Sequence, residues 1–244
     1  MKAPFPRLSE GKGAFTREPC GTVRPMDFRD FDGIKVRRPS VERDGLESEP
    51  AVFRGDFDFD SVHLDGGDQG GVRGGGGIAH SLVSDVSLAN ARLDRLALSD
   101  VILEGVDLSN AAIRELTARR VEILRCRAIG LGVAITSAVD LYVENARFDY
   151  ASVTVERVKS PVVFSGCSFR ETMFSGDLSR LTFVDCEFTD TEFAATGALD
   201  CDLRGSRLSG VRGLVTLRGA KITGEQAVSV AGILAAESGL SVVG

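Results

Sequence analysis

The sequence predicts an all-β protein built as a four-sided parallel β-helix, and three observations lead to this fold class. Apolar residues recur at every fifth position from Val83 to Leu208, small residues recur two positions before them, and two free residues complete each unit. An α-helix repeats its apolar face about every 3.6 residues and a β-strand every 2, so a sustained period of five fits neither element. Each unit must therefore hold a short extended segment followed by a turn.

The column of large residues begins at Val83 and contains no polar side chain up to Val163. One inserted residue then moves the frame to Phe164, and a four-residue step from Phe174 to Leu178 restores it. The predicted structural core includes every Phe between residues 81 and 208, namely Phe148, Phe164, Phe169, Phe174, Phe183, Phe188 and Phe193. Four units make a coil of about 20 residues, so these rings are expected to stack in three ladders.

The predicted organisation has three parts. Residues 1–80 form an irregular N-terminal segment with a partial first coil (Phe57, Phe59, Val62 and Leu64), beneath which Phe28, Phe31, Ile34 and Val36 are expected to pack. Eight of the twelve residues at 66–77 are Gly, which predicts a flexible loop. Residues 81–222 form the β-helix, with a bulge or loop near 155–161. Residues 223–244 form a capping α-helix and tail, because Thr223 and Gln226 have capping-box spacing and Ala227, Val228, Ala231 and Leu234 share one helix face.

Units such as VDLSN (106–110), ARFDY (146–150) and CDLRG (201–205) resemble the A(D/N)LXX signature of the pentapeptide repeat proteins. The resemblance covers residues 81–210. It implies a right-handed quadrilateral β-helix, and the tail LRGAKIT…LAAESGL is similar to the C-terminal segment of single-domain members. Members often pair end to end through this segment, so the resemblance implies a homodimer through the C-terminal helix.

Composition argues against most catalytic sites. The chain has two His, no Trp and five cysteines without a C-x-x-C pair: Cys20, Cys126, Cys167, Cys186 and Cys201. Four of these cysteines occupy the small inward column, where a thiol serves as an apolar filler. The segment GGGGIAH lacks the Lys and hydroxyl of a phosphate loop, and His63 and His80 are expected to be solvated. We therefore predict no enzyme, no catalytic residues, no cofactor and no metal.

Charge and hydropathy favour a soluble cytoplasmic protein. Acidic residues exceed basic ones by 35 to 29, a net charge of −6, which argues against direct nucleic-acid binding. The longest uncharged stretch of the apolar middle, residues 128–139, is too short to span a membrane, and the start MKAPFPRLSE has no apolar signal region.

Two candidate interaction surfaces remain. An acidic surface at residues 171–202 has one basic residue, Arg180, and the acids Glu171, Asp177, Asp185, Glu187, Asp190, Glu192, Asp200 and Asp202. A basic side of the coil is predicted from Arg119, Arg120, Arg157 and Lys159. An ordinary solvated surface explains both sets equally well.

Two functions are predicted. The first is a non-catalytic, rigid protein-interaction scaffold of unknown partner. The second is implied by the resemblance, since several pentapeptide repeat proteins mimic duplex DNA and bind DNA gyrase or topoisomerase IV, some conferring fluoroquinolone resistance. Duplex DNA carries about one charge per 1.7 Å, or about eighteen over a 30 Å rod. Residues 81–223 hold 19 acids and 17 bases, so the mixed charge favours the scaffold.

Overall fold

The computed structural model describes residues 27–241, and Cys20 lies outside this range. The described chain is a parallel β-solenoid of about eight turns with one α-helix after the coils, which confirms the predicted fold. None of its helices is long and apolar enough to cross a membrane.

Seventeen strands and one helix make up the described regular structure, with short 3-10 turns at Arg43–Gly45 and Leu214–Thr216. The strands are β1 (Phe28–Phe31), β2 (Ile34–Arg37), β3 (Glu47–Glu49), β4 (Gly55–Asp60), β5 (Val62–Asp65), β6 (Arg73–Ser84), β7 (Arg92–Glu104), β8 (Ala112–Leu124), β9 (Gly132–Glu144), β10 (Ser152–Val155), β11 (Val162–Ser165), β12 (Ser168–Arg170), β13 (Met173–Asp177), β14 (Leu181–Val184), β15 (Glu187–Thr189), β16 (Glu192–Gly197) and β17 (Arg207–Ser209). The helix is α1 (Gly224–Glu237).

Neighbouring coils are in register at intervals of about 20 residues. In the regular part, Leu93 pairs with Ile113 and Ile113 with Val133, all between parallel strands. We label the four sides of the coil by their inward residues: side A contains Leu108, side B Ile113, side C Ala118 and side D Ile123. Each side is one five-residue unit, so the repeat places every fifth side chain in the core.

The corners between sides explain the turn residues of the repeat. Asn90 (φ 61°), Asn110 (φ 54°) and Gly130 (φ 70°) occupy the same corner in successive coils, all in the left-handed region. Gly, Asn and Asp enter this region at the lowest cost, which accounts for their recurrence at the end of each unit.

The three phenylalanine ladders are present. Phe148, Phe169 and Phe188 stack on side A with ring centroids 5.4 and 5.0 Å apart. Phe164 stacks on Phe183 at 5.2 Å, and Phe174 stacks on Phe193 at 5.9 Å. The expected irregularity is also present, because β10 ends at Val155 and the ladder of strands resumes only at Val162.

The glycine-rich segment differs from the prediction. Residues 73–77 belong to β6, which pairs with β4 and β7, so five of the twelve residues of the expected loop are strand. The first coil contains three packed rings, Phe53, Phe57 and Phe59. A Cβ at Gly76 would lie 1.8 Å from the Phe57 carbonyl oxygen and 2.8 Å from its ring. Glycine is therefore required there for close packing, not for flexibility.

The N-terminal hairpin also lies elsewhere than predicted. Strands β1 and β2 pair antiparallel, and the hairpin with the residues that follow it crosses the outside of side D instead of packing beneath the first coil. Its apolar side chains Phe31, Ile34 and Val36 contact an outward row on the coils. That row contains Leu82, Ile102, Tyr142 and Val163, and Leu124 lies beside it in the neighbouring outward column. We call residues 27–46 the strap.

The C-terminal end of the core is closed by α1. The predicted capping box is present, with Thr223 and Gln226 bonded reciprocally. The Gln226 side chain also donates to the carbonyl oxygens of Leu203 (2.7 Å) and Ser206 (2.6 Å), and Glu237 accepts from the Gly213 and Val215 amides. These bonds satisfy backbone groups that an open last coil leaves unpaired. The buried face differs from the prediction: Val230 is buried, whereas Val228 is 79% exposed.

Candidate interaction surfaces

The predicted acidic surface is largely neutralised by the next coil. Glu187 faces Arg207 at 3.5 Å, Glu192 faces Arg212 at 3.4 Å and Asp200 faces Lys221 at 2.9 Å. Each pair joins residues 20 or 21 apart, because these positions lie side by side on adjacent coils. With the five basic residues of 203–222 included, eight acids face six bases and the net charge of the region falls from −7 to −2.

Two more members of this surface have structural roles. Asp202 is buried and binds Arg204, and its pKa is lowered because hydrogen bonds and charge from Arg204 outweigh the effect of burial, which raises it. Asp177 accepts a hydrogen bond from the Ser179 amide at 3.0 Å in a turn. Within residues 27–241, Glu171, Asp185 and Asp190 form no ion pair and are exposed at corners in the left-handed conformation.

Three of the four residues predicted for the basic side share the outer surface of side C. Arg119 pairs in register with Val139, and Ala138 pairs with Val158, so Arg157 and Lys159 lie two coils from Arg119. All three are exposed. We call Arg119, Arg157 and Lys159 the basic patch.

Arg120 does not belong to the basic patch. Its guanidinium binds both carboxylate oxygens of Asp100, which also accepts a hydrogen bond from the Ser40 amide of the strap at 2.9 Å. Burial raises the pKa of Asp100, but the bonds from Arg120 and Ser40 outweigh it and the net pKa is lowered. Arg120 therefore balances a buried charge beneath the strap.

Side D contains a buried charge that the sequence analysis did not single out. Glu122 is 1% exposed and accepts hydrogen bonds from Arg29 Nε (2.8 Å) and Arg38 Nε (2.9 Å) of the strap. The Arg29 guanidinium also lies 4.3 Å from the centre of the Tyr142 ring, which stacks on Phe31 at 5.2 Å. These contacts attach the strap to side D and remove that side from the accessible surface.

The two histidines, expected to be solvated, contact neighbouring polar groups. His63 Nε2 lies 2.7 Å from Ser84 Oγ, whose hydroxyl donates to Asp65 at 2.6 Å, and His80 Nδ1 lies 2.8 Å from Asp60 Oδ1.

Residues 27–241 contain no group of three His, Cys, Asp or Glu side chains arranged for a metal ion. Cys126, Cys167, Cys186 and Cys201 are buried and free. Burial raises the pKa of Cys126 to about 11 and that of Cys201 to about 12, so both remain protonated thiols at neutral pH.

The five-residue period, the 20-residue register and the left-handed corners together define the architecture. The chain has the fold of a pentapeptide-repeat protein. No protein-family model and no curated protein matches this sequence. Solved structures of QnrB1, a plasmid-mediated fluoroquinolone resistance protein, are similar to it. One aligns with 81% of this chain and 99% of its own length at 20% identity and a TM-score of 0.44. The full-length form aligns with 78% of this chain and 99% of its own length, at 21% identity and a TM-score of 0.42.

Proposed function

We propose that this pentapeptide-repeat protein is a non-catalytic, cytoplasmic scaffold that binds a protein partner through the flat outer surface of side C. The pairing of opposite charges between adjacent coils carries this proposal, because it breaks up the continuous negative surface that a mimic of duplex DNA needs. The basic patch differs from the paired residues, since Arg119, Arg157 and Lys159 form no ion pair within residues 27–241. An acidic protein surface fits such a patch.

Side C has the shape that a docking surface requires. Between the basic patch and the first coil its outward side chains are small, including Ala79, Ala97, Ser99 and Thr117. Strands β6, β7 and β8 hold these small residues in register. Arg157 and Lys159 lie in the segment between β10 and β11, where Val158 bridges to Ala138.

A charge-reversal experiment tests the scaffold. The variant R119E/R157E/K159E is compared with D185K/D190K, which alters exposed corner acids on other parts of the coil. Each protein is used to capture partners from the cells that make it. We expect the basic-patch variant to lose the partner and the acidic-corner variant to retain it. Retention by both variants, or capture of no partner by the wild type, contradicts the proposal.

The alternative function, a DNA-mimicking effector of DNA gyrase or topoisomerase IV, is favoured by one observation. Glu171 and Asp190 occupy the same corner one coil apart, and neither forms an ion pair within the described residues. The same variants distinguish it in a gyrase supercoiling assay with and without a fluoroquinolone. The DNA mimic is favoured over the scaffold if the wild type inhibits gyrase, D185K/D190K does not, and R119E/R157E/K159E still does.

We also propose that two copies pair through the outward face of α1. Val228 is 79% exposed and Leu240 is 65% exposed, and Ala227 and Ala231 are exposed beside Val228. Val230 and its neighbours Ile233 and Leu234 pack on the core, so cap and dimer contact use different faces of one helix.

Substituting Val228 is expected to separate these two roles. V228E places a charge in the proposed dimer contact and leaves Val230 in the core, so we expect a monomer with an unchanged melting temperature. Light scattering after gel filtration measures the mass, and S229E, one residue further along the helix, serves as the control. A wild-type protein that is already monomeric at high concentration contradicts the dimer.

A further inference from the structure

The N-terminal end of side B contains an unusual alignment of arginines. Arg73 pairs in register with Arg92 on the next coil, so the two guanidinium-bearing chains start about 4.8 Å apart. Arg54 directly precedes Gly55, the register partner of Gly74, and so lies one coil before Arg73. All three arginines are exposed. We call Arg54, Arg73 and Arg92 the arginine ladder.

The ladder departs from the charge pattern of the other coils. Several basic residues elsewhere face an acid one coil away, as Arg114 faces Asp94 at 3.6 Å and Arg212 faces Glu192 at 3.4 Å. A second register pair of arginines, Arg127 and Arg147, has acidic neighbours: Arg127 also pairs in register with Asp107, and Arg147 binds Asp149 at 2.8 Å. At one corner the charges alternate, with Asp100, Arg120 and Asp140 in successive coils. Within residues 27–241 no side chain of the arginine ladder has a hydrogen bond or ion pair, and like charges side by side on adjacent strands are destabilising.

The surroundings of the ladder add positive charge and leave room for a ligand. Arg95 is exposed at a break in the β6–β7 register, and its backbone nitrogen and oxygen lie 3.2 and 3.0 Å from the Cβ position of Gly75. The Cβ positions of Gly74 and Gly75 are filled by the backbone of Phe53, Gly55 and Arg95, so these glycines serve close packing of the coils. The guanidinium groups of the arginine ladder are exposed, so an anion reaches them from solvent.

Carboxylates limit the width of this positive strip. Asp56 and Asp94 follow the ladder on the same side of the coil, and Asp68 and Asp107 lie on the adjacent side A. The strip is thus about one side chain wide and about 10 Å long, the span of three adjacent strands. Duplex DNA is wider than this strip, because its two charged backbones border a major groove about 12 Å wide. A duplex placed on the ladder therefore brings phosphates against these carboxylates.

We propose that the arginine ladder binds a short linear chain of phosphates, the charged group shared by inorganic oligophosphate and by a nucleoside triphosphate. Planar guanidinium groups bind phosphate oxygens in pairs, and a row of them matches a row of oxyanions. The bound anion relieves the repulsion between Arg73 and Arg92. This site lies on side B and is independent of the scaffold surface on side C.

Calorimetric titration of the full chain with inorganic tripolyphosphate, magnesium-free ATP and a short DNA duplex tests the proposal. We expect tripolyphosphate and ATP to bind, with the tighter of the two identifying the source, and the duplex to bind more weakly than both. We expect R73Q/R92Q to weaken binding of both phosphate ligands by about tenfold or more, the loss of charged hydrogen bonds.

The matched control is R119Q/R157Q, which removes the same two charges from side C. Unchanged affinity in the control supports the ladder, whereas equal weakening shows non-specific attraction and overturns the proposal. Tighter binding of the duplex, or no binding of tripolyphosphate by the wild type at low salt, also overturns it. A thermal shift gives a second readout: R73Q alone should melt at or above the wild-type temperature without phosphate and gain less stability when tripolyphosphate is added.

Discussion

Replacing Phe169 with Ala is expected to lower the free energy of unfolding by about 3–5 kcal/mol, the cost of a large cavity in a core that cannot collapse. Phe169 is fully buried and lies at the centre of the ladders. Its ring centroid is 5.0 Å from that of Phe188, 5.0 Å from that of Phe174 and 5.4 Å from that of Phe148. The substitution removes contacts with three coils at once.

Chemical denaturation measures this effect, and Y150A is the matched control because Tyr150 is an aromatic residue that is 56% exposed at a corner. We expect the control to change stability much less than F169A. An F169A protein that unfolds at the wild-type denaturant concentration contradicts the central role of this ring.

The fold was predictable because the signal repeats in every unit. The inward position of Leu93 is predicted from the repeat as a whole, because Ile113 and Val133 occupy the same position in the next two coils. One atypical residue therefore does not change the predicted register. The ladders of Phe148 and Phe164 followed from counting coils across one insertion and one deletion. The capping box at Thr223 depends on residues three apart, and local spacing is visible in any sequence.

The glycine-rich segment could not be predicted in the same way. Glycine usually signals flexibility, but Gly76 is required because Phe57 of the preceding coil occupies the space of its side chain. That requirement comes from a residue 19 positions away. Comparing each glycine with the residue at the equivalent position one coil earlier would have revealed the pairing of Phe57 with Gly76.

The ion pairs of the acidic surface could not be predicted for a related reason. Counting charges over a window of sequence left Glu187 and Glu192 unpaired, although Arg207 and Arg212 lie beside them on the next coil. Electrostatic partners in a solenoid are about 20 residues apart, so charge must be counted down columns. The same column analysis reveals the covered side. Outward positions in side D contain the large side chains of Ile102 and Tyr142, which are buried and therefore indicate that another segment covers them.

Removing both strap arginines is expected to detach the strap from side D. In R29M/R38M the carboxylate of Glu122 loses both partners while buried, and an uncompensated buried charge costs about 3–5 kcal/mol. Detachment hydrates Glu122 and avoids that cost. The coils are held by their own strand pairing, so we expect them to stay folded.

Tyr142 reports detachment directly. The chain has two Tyr and no Trp, so in a Y150F background the absorbance of Tyr142 follows the loss of Phe31 and Arg29 from its ring. Hydrogen exchange of the β1 and β2 amides gives a second measurement. Slow exchange and an unchanged Tyr142 spectrum in R29M/R38M contradict the role of the ion pairs.

The control for charge is the triple variant R29M/R38M/E122L. Glu122 lies between Ile102 and Tyr142 in its outward column, so Leu at this position fits the apolar surroundings. Replacing a whole buried ion-pair group by apolar residues of similar size is often neutral or stabilising. We therefore expect the triple variant to recover the attached strap, which separates the unpaired charge from any loss of packing.

Acid is expected to act on the same contact. Burial raises the pKa of Glu122, but hydrogen bonds from Arg29 and Arg38 outweigh it, so the folded pKa lies below the ordinary value of 4.5. A carboxyl group whose pKa is lowered by folding stabilises the folded state at pH values above its ordinary pKa. This stabilisation is lost as the pH falls from the ordinary pKa through the lowered pKa. Asp100, bonded to Ser40 of the strap, is shifted in the same direction. The contact of Glu122 with the strap should therefore weaken as the pH falls below 4.5 in the wild type, whereas R29M/R38M/E122L lacks this response and keeps the contacts of the strap with Asp100, Glu104 and Asp140.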